Sequence, residues 1–205
     1  MIQESYYWRK ELYECFVKIA KYRLMKKIKL PSYFKLEKSI MIGSFIIRKL
    51  NESEKIPPDM LDRKIILEKF LNIDPSVKSD NIQRIEKYYN TENIQTEERN
   101  WLFLINQIIH SFSFQLFYNE SGQVEGILVN SDKTKNKAVY LISLKQILEL
   151  YISISEGEIN YIQRKRNDLD EMVTVSVKYG YPSSINLEEI INETLKGNIY
   201  KRKKN

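Results

Sequence analysis

The stretch Trp101–Val129, WLFLINQIIHSFSFQLFYNESGQVEGILV, changes its period in the middle, and that change decides the fold class. Up to Ile109 it is apolar on nearly every side: Trp101, Leu102, Phe103, Leu104, Ile105, Ile108 and Ile109 leave little polar face. Thr96 is placed to cap such a helix, and Glu97 and Glu98 suit the positive end of its dipole. The pattern therefore predicts a central helix opening at Thr96. From Ser111 onward the apolar residues alternate, at Phe112, Phe114, Leu116 and Tyr118. NESG makes a turn, QVEGILV returns, and KAVYLI follows the loop NSDKTKN as a third strand. The fold class read from this pattern is α+β.

Working outward, Trp8, Leu12, Cys15, Phe16 and Ile19 space a first helix over Ser5–Ile28, which Pro31 ends. A second helix runs from Phe34 to Asn51, with one stripe at Leu36, Ile40, Gly43, Ile47 and Leu50. Glycine costs helix stability, so Gly43 marks close packing against another helix. After the break IPPD, Asp59 caps a short third helix through Leu71. Residues 72–95 are polar, with one short helix at NIQRIEKYY. Ser143 and Gln146 have capping-box spacing and open a helix that stops near Gly157. MVTVSVKY, 172–179, alternates as a strand; Asn186 with Glu189 opens a last helix that Gly197 closes. The expected organisation is one domain over 1–205. A helical bundle of about four helices fills 1–111, an antiparallel meander fills 112–142, and 143–205 is mostly helical with a basic tail.

The 205 residues are 42% hydrophobic and 29% charged, which suits a packed core and not a disordered chain. One cysteine and one histidine exclude an internal disulfide and the Cys- or His-rich zinc sites, so no metal or cofactor is expected. A carboxylate-only metal site stays open at Asp168, Asp170 and Glu171 of NDLDEM, beside the simpler reading of a solvated acidic loop. The first twenty residues lack a signal peptide's apolar core, and no apolar run approaches the roughly 20 residues that cross a bilayer. The expectation is a cytoplasmic protein without membrane contact. A formal charge of +6 attracts phosphate backbones. Arg164, Lys165 and Arg166 of YIQRKRN, and Lys201 and Arg202 of the KRKK tail, are candidate phosphate contacts; a solvated surface and tail is the plain alternative.

The only histidine, His110, lies in LINQIIHSF four residues after Asn106, so the two share a helix face. INQIIH resembles the signature of the HEPN superfamily, helical proteins with an Arg, commonly followed by Asn, and a His four to six residues beyond the Arg. Asn106 and His110 match its Asn and His, whereas Ile105 stands where the arginine belongs. The resemblance implies metal-free RNA cleavage in which the histidine moves a proton and the arginine stabilises the phosphorane-like transition state. It further implies association with RNA, with toxin–antitoxin or phage-defence systems, and a homodimer with the His-bearing helices near the interface. Without the motif arginine, the expected catalysis is weak or absent.

A substitute arginine can come from the second helix, where Glu37, Met41, Ser44 and Arg48 form a stripe beside the apolar one. If that stripe faces the central helix, Glu37, Arg48, Asn106 and His110 form one polar cluster. His110 is then the acid/base, Arg48 or Arg99 holds phosphate, and Asn106 orients the imidazole. Two other classes stay open. One is a protein-interaction module binding a cognate partner, with Asn106 and His110 as structural polar residues and a partner surface near Tyr6, Tyr7, Tyr88 and Tyr89. The other is a metal-dependent nuclease.

Overall fold

A computed structural model of the chain describes residues 4–26, 28–57, 59–74, 84–180 and 186–196, with backbone but not side chains over 158–164 and 174–180. The fold is α+β with an antiparallel sheet. Five strands pair in the order β2-β1-β5-β4-β3: β1 Lys64–Asn72, β2 Tyr89–Asn100, β3 Ser111–Tyr118, β4 Val124–Ser131 and β5 Ala138–Ser143. The helices are α1 Ser5–Arg23, α2 Leu30–Glu52, the single turn α3 Ile85–Tyr88, α4 Trp101–Ile109, α5 Leu144–Glu156 and α6 Leu187–Leu195. Strands β6 Glu158–Arg166 and β7 Met172–Gly180 make a separate two-stranded ribbon.

The meander and its flanks follow the expected lines. Leu116, Ile127, Val129 and Ile142 point from one face of the sheet into a core shared with Leu12, Phe16, Ile40, Ile47, Ile105 and Ile147 of the helices. Phe70, Leu128 and Val139 point to the other face, where Tyr88 and Tyr89 cover them. Both tyrosines are buried, which removes them from the partner surface expected there. The Ser143–Gln146 capping box is complete, and the Asn186 side chain accepts from the Glu189 N–H. Gly197 and the tail lie outside the described residues.

The bundle of about four helices over 1–111 is interrupted, because strands separate α2 from α4. Pro31 stands in the first turn of α2, where its missing N–H costs nothing, and α1 closes earlier, at Arg23. The expected third helix is β1. Its KIILEKFLN is apolar enough for either period, and pairing with β2 on one side and β5 on the other selects the strand. Asp59 sits instead in a turn before it, where its carbonyl accepts from the Asp62 N–H. The polar run before Trp101 is β2, an edge strand, where exposed charge is the normal defence against further pairing. Thr96 pairs with Glu68 in the sheet, and the cap of α4 passes to Asn100, whose side chain accepts from the Phe103 N–H at 2.9 Å. The third unexpected strand is β6, whose QRKR reads as surface by composition alone.

Gly43 brings two helices into close approach. A Cβ built there would lie 2.1 Å from the ring of Tyr151 on α5. The ring is fully buried, its hydroxyl 3.0 Å from Ser44 Oγ and donating to the Ile40 carbonyl. This contact fixes α2 against α5 and so sets where the last turn of α2 falls beside the end of α4.

Candidate functional site

Arg48 occupies the last turns of α2, and His110 caps the C-terminus of α4, its N–H bonded to the Asn106 carbonyl at 3.1 Å. The chain changes direction at His110 to enter β3, which leaves the imidazole exposed. Arg48 Nη1 lies 2.8 Å from His110 Nε2. A guanidinium only donates, so Nε2 is the acceptor and the neutral ring carries its proton on Nδ1. Arg48 also donates through Nε to Glu52 Oε1 at 2.8 Å, and Lys49 holds Glu52 Oε2 at 2.7 Å. Hydrogen bonds from Lys49 and then Arg48, with their charges, hold the Glu52 carboxyl below its ordinary range, so it is ionised at neutral pH.

Two of the four expected cluster members therefore meet, Arg48 and His110. Glu37 does not join them. It stands eleven residues before Arg48, roughly 16 Å along the helix, and its charge acts on Tyr33, whose hydroxyl pKa burial and then Glu37 raise. Glu52 takes the place expected of Glu37. Its signal was the i,i+4 spacing to Arg48, which brings opposite charges together on any helix. Asn106 positions His110 through its backbone carbonyl, and among the described residues no hydrogen bond joins the two side chains.

Arg99 stands before the N-terminus of α4, at the opposite end of that helix from His110. It lies on β2, and its Nη2 pairs with Glu97 Oε1 at 2.5 Å while its guanidinium stacks 4.7 Å over the Phe103 ring. Glu97 also takes Lys69 at 3.0 Å and the Tyr140 hydroxyl at 3.2 Å. Burial pushes the Glu97 carboxyl up, but the Lys69 hydrogen bond, the Arg99 and Lys69 charges and the Tyr140 hydroxyl outweigh it, and its pKa is lowered. On the ribbon, Lys165 and Arg166 are exposed, and Arg166 is neutralised by Asp170 at 2.5 Å. The Arg164 side chain, and Lys201 and Arg202 altogether, lie outside the described residues. Asp168, Asp170 and Glu171 do not converge. Among the described residues no group of three or more His, Cys, Asp and Glu side chains is placed to hold a metal. No described helix is long and apolar enough to cross a membrane.

An exposed guanidinium–imidazole pair offers an anion two kinds of donor, the Arg48 N–H groups and the His110 Nδ1–H. Glu52 opposes that anion and occupies one edge of the guanidinium. No family model, curated protein or solved structure matches this chain.

Proposed function

We propose that the chain is an RNA-associated, HEPN-like protein whose Arg48–His110 pair receives an RNA phosphate, with weak or absent cleavage. The observation that carries this reading is the 2.8 Å contact between an arginine and the only histidine, made at an exposed surface by two different elements. A buried structural histidine would be closed to solvent and bonded to neutral groups, and this one is neither. Toxin–antitoxin or phage defence and a homodimer belong to the same proposal through the INQIIH resemblance, and a cytoplasmic setting belongs to it through the single cysteine and the charged first twenty residues.

The geometry also supports the weak end of catalysis. A general base needs a free lone pair, and that of Nε2 is taken by Arg48. The guanidinium that would stabilise a phosphorane is shared between His110 and Glu52. Turnover therefore requires the phosphate to draw Arg48 off both partners. In that state His110 Nε2 takes the 2′-hydroxyl proton, the 2′-oxygen bonds to phosphorus as the bond from phosphorus to the 5′-oxygen breaks, and the 5′-oxygen takes a proton from water while His110 returns its own to solvent. The products are a 2′,3′-cyclic phosphate and a 5′-hydroxyl.

The test is incubation of RNA with the wild type and His110→Ala in EDTA, with binding measured beside cleavage. Binding that Arg48→Ala abolishes, with slow or no cleavage that His110→Ala removes, supports the proposal. Equal binding by all three proteins defeats it. A partner-binding module remains a second reading on one observation: Tyr6 and Tyr7 are 55% and 69% exposed and pack edge to face at 5.4 Å between centroids.

A further inference from the structure

The outer face of α2 leads away from Arg48 as a line of alternating rings and cations. At 100° per residue, Phe34, Lys38, Phe45 and Lys49 fall within about 60° of one another, with Arg48 at the border toward α4. Phe34 is 60% exposed and Phe45 is 45% exposed, although large apolar rings are normally drawn into a core. Lys38 and Lys35 are exposed beside them. Lys49 Nζ sits 5.7 Å from the centre of the Phe45 ring, and Phe45 precedes Arg48 by one turn. The carboxylate of Glu52 at the far end is already shared by Arg48 and Lys49. Lys35, Lys38, Arg48 and Lys49 thus outnumber Glu37 and Glu52 along this face, which suits a polyanion better than an apolar partner.

Resting on the reading of Arg48–His110 as a phosphate site, we propose that this face of α2 is a track for single-stranded RNA. Bases stack on Phe34 and Phe45, and phosphates meet Lys38, Lys49 and Arg48. The two rings are eleven residues apart, about 16 Å along the axis. That equals about five steps at the 3.4 Å rise of a stacked strand, and fewer for a stretched one. An aromatic face accepts any unpaired base, so the track is tolerant of sequence. It rejects duplex RNA, whose base faces are stacked on one another and closed to side chains. Arg48 then belongs to both features, as the last cation of the track and the partner of His110, so a strand lying along α2 runs its backbone to the imidazole.

The experiment is fluorescence anisotropy of labelled 2′-O-methyl octauridylate, which cannot be cleaved through its 2′-oxygen, beside a duplex of the same length. Wild type, Phe34→Ala, Phe45→Ala and Arg48→Ala are compared, with sedimentation of each protein. Both rings are exposed, so the substitutions leave the core intact. Each phenylalanine variant is expected to lose about 5- to 100-fold in single-strand affinity, with duplex affinity unchanged. Phe45→Trp is expected to retain binding and to be quenched by the bound strand. Unchanged affinity in both phenylalanine variants, with loss in Arg48→Ala, overturns the track and leaves the phosphate site standing. Absence of binding in the wild type overturns both. A change from dimer to monomer in the phenylalanine variants, with RNA affinity unaltered, assigns this face to a second copy of the chain and also overturns the track.

Discussion

Replacing Glu52 by Gln should tighten RNA binding, and the size of the gain follows from the geometry. Glu52 holds the Nε edge of the Arg48 guanidinium at 2.8 Å, so an anion seated on the free edge would stand across the group from it. At roughly 7 Å two like charges repel by about 0.6 kcal/mol in a water-like dielectric, and by about 2.4 kcal/mol at an effective constant of 20. Glu52 is 41% exposed, so solvent screening places the effect near the lower figure. A gain of about 0.6 kcal/mol corresponds to roughly threefold in affinity. Glutamine keeps an acceptor for Arg48 Nε, so the guanidinium stays oriented while the charge is lost. The assay is anisotropy of a short labelled RNA at low salt, repeated at rising salt, where the advantage of E52Q should shrink as screening takes over. The pH dependence has a definite sign. The Glu52 pKa is lowered in the fold, so its pairing favours the native state above the unfolded value and is lost as pH falls through the folded value. Below the ordinary carboxylate range the wild type should therefore approach the affinity of E52Q, while E52Q itself stays level across that window. Weaker binding by E52Q at neutral pH would refute the reasoning, since Glu52 would then be holding Arg48 in place for the ligand and not competing with it.

Two further outcomes test the packing that places the site. Gly43→Ala should destabilise the protein by about 2 kcal/mol, because overpacking costs about 1–3 kcal/mol or more and the helix propensity of alanine returns about 1 kcal/mol. In a chain of this length that is a fall of about 4–8 °C in Tm by differential scanning calorimetry, and a Tm at or above the wild type would show that Tyr151 can move aside. Cys15 is buried, and burial first, then the neighbouring Glu11 charge, pushes its thiol up to about 11. It should therefore resist a disulfide reagent at pH 8 until denaturant unfolds the chain, and rapid labelling of the native protein would contradict that burial.

The parts of the fold that the sequence made legible are those whose information is local. The Ser143–Gln146 box, the Asn186 cap and the alternation after Ser111 each rest on residues within a few positions of one another. The misread parts are decided elsewhere in the chain. KIILEKFLN is a strand because β2 and β5 flank it, and neither is visible from within those nine residues. Thr96 and the two glutamates after it have the composition of a helix start, yet they form an edge strand, on which Glu97 pairs with Lys69 of β1 and with Arg99 two residues further along β2. A cap at Asn100 competes with one at Thr96, and the sheet settles the contest by pairing Thr96 with Glu68.

The site shows the same division, and it explains why a search for an arginine beside His110 in sequence leads to the wrong place. Ile105, at the motif position, is fully buried and lies five residues before His110, roughly 140° around α4. An arginine there would point into the core among Ile40, Ile47 and Ile108, paying desolvation with no carboxylate to meet it. The packing that buries Ile105 is the packing that lays α2 against α4, and α2 carries Arg48 to the solvent edge where His110 ends its helix. The stripe Glu37, Met41, Ser44, Arg48 pointed to the right helix but not to one site, since its ends are three turns apart. Ser44 turns inward to Tyr151, and Arg48 alone reaches the histidine. A guanidinium delivered by a second helix is held by packing between helices. Its distance from the imidazole is therefore sensitive to Gly43 and Tyr151, and a change in that helix contact should alter the Arg48–His110 geometry although neither residue touches it.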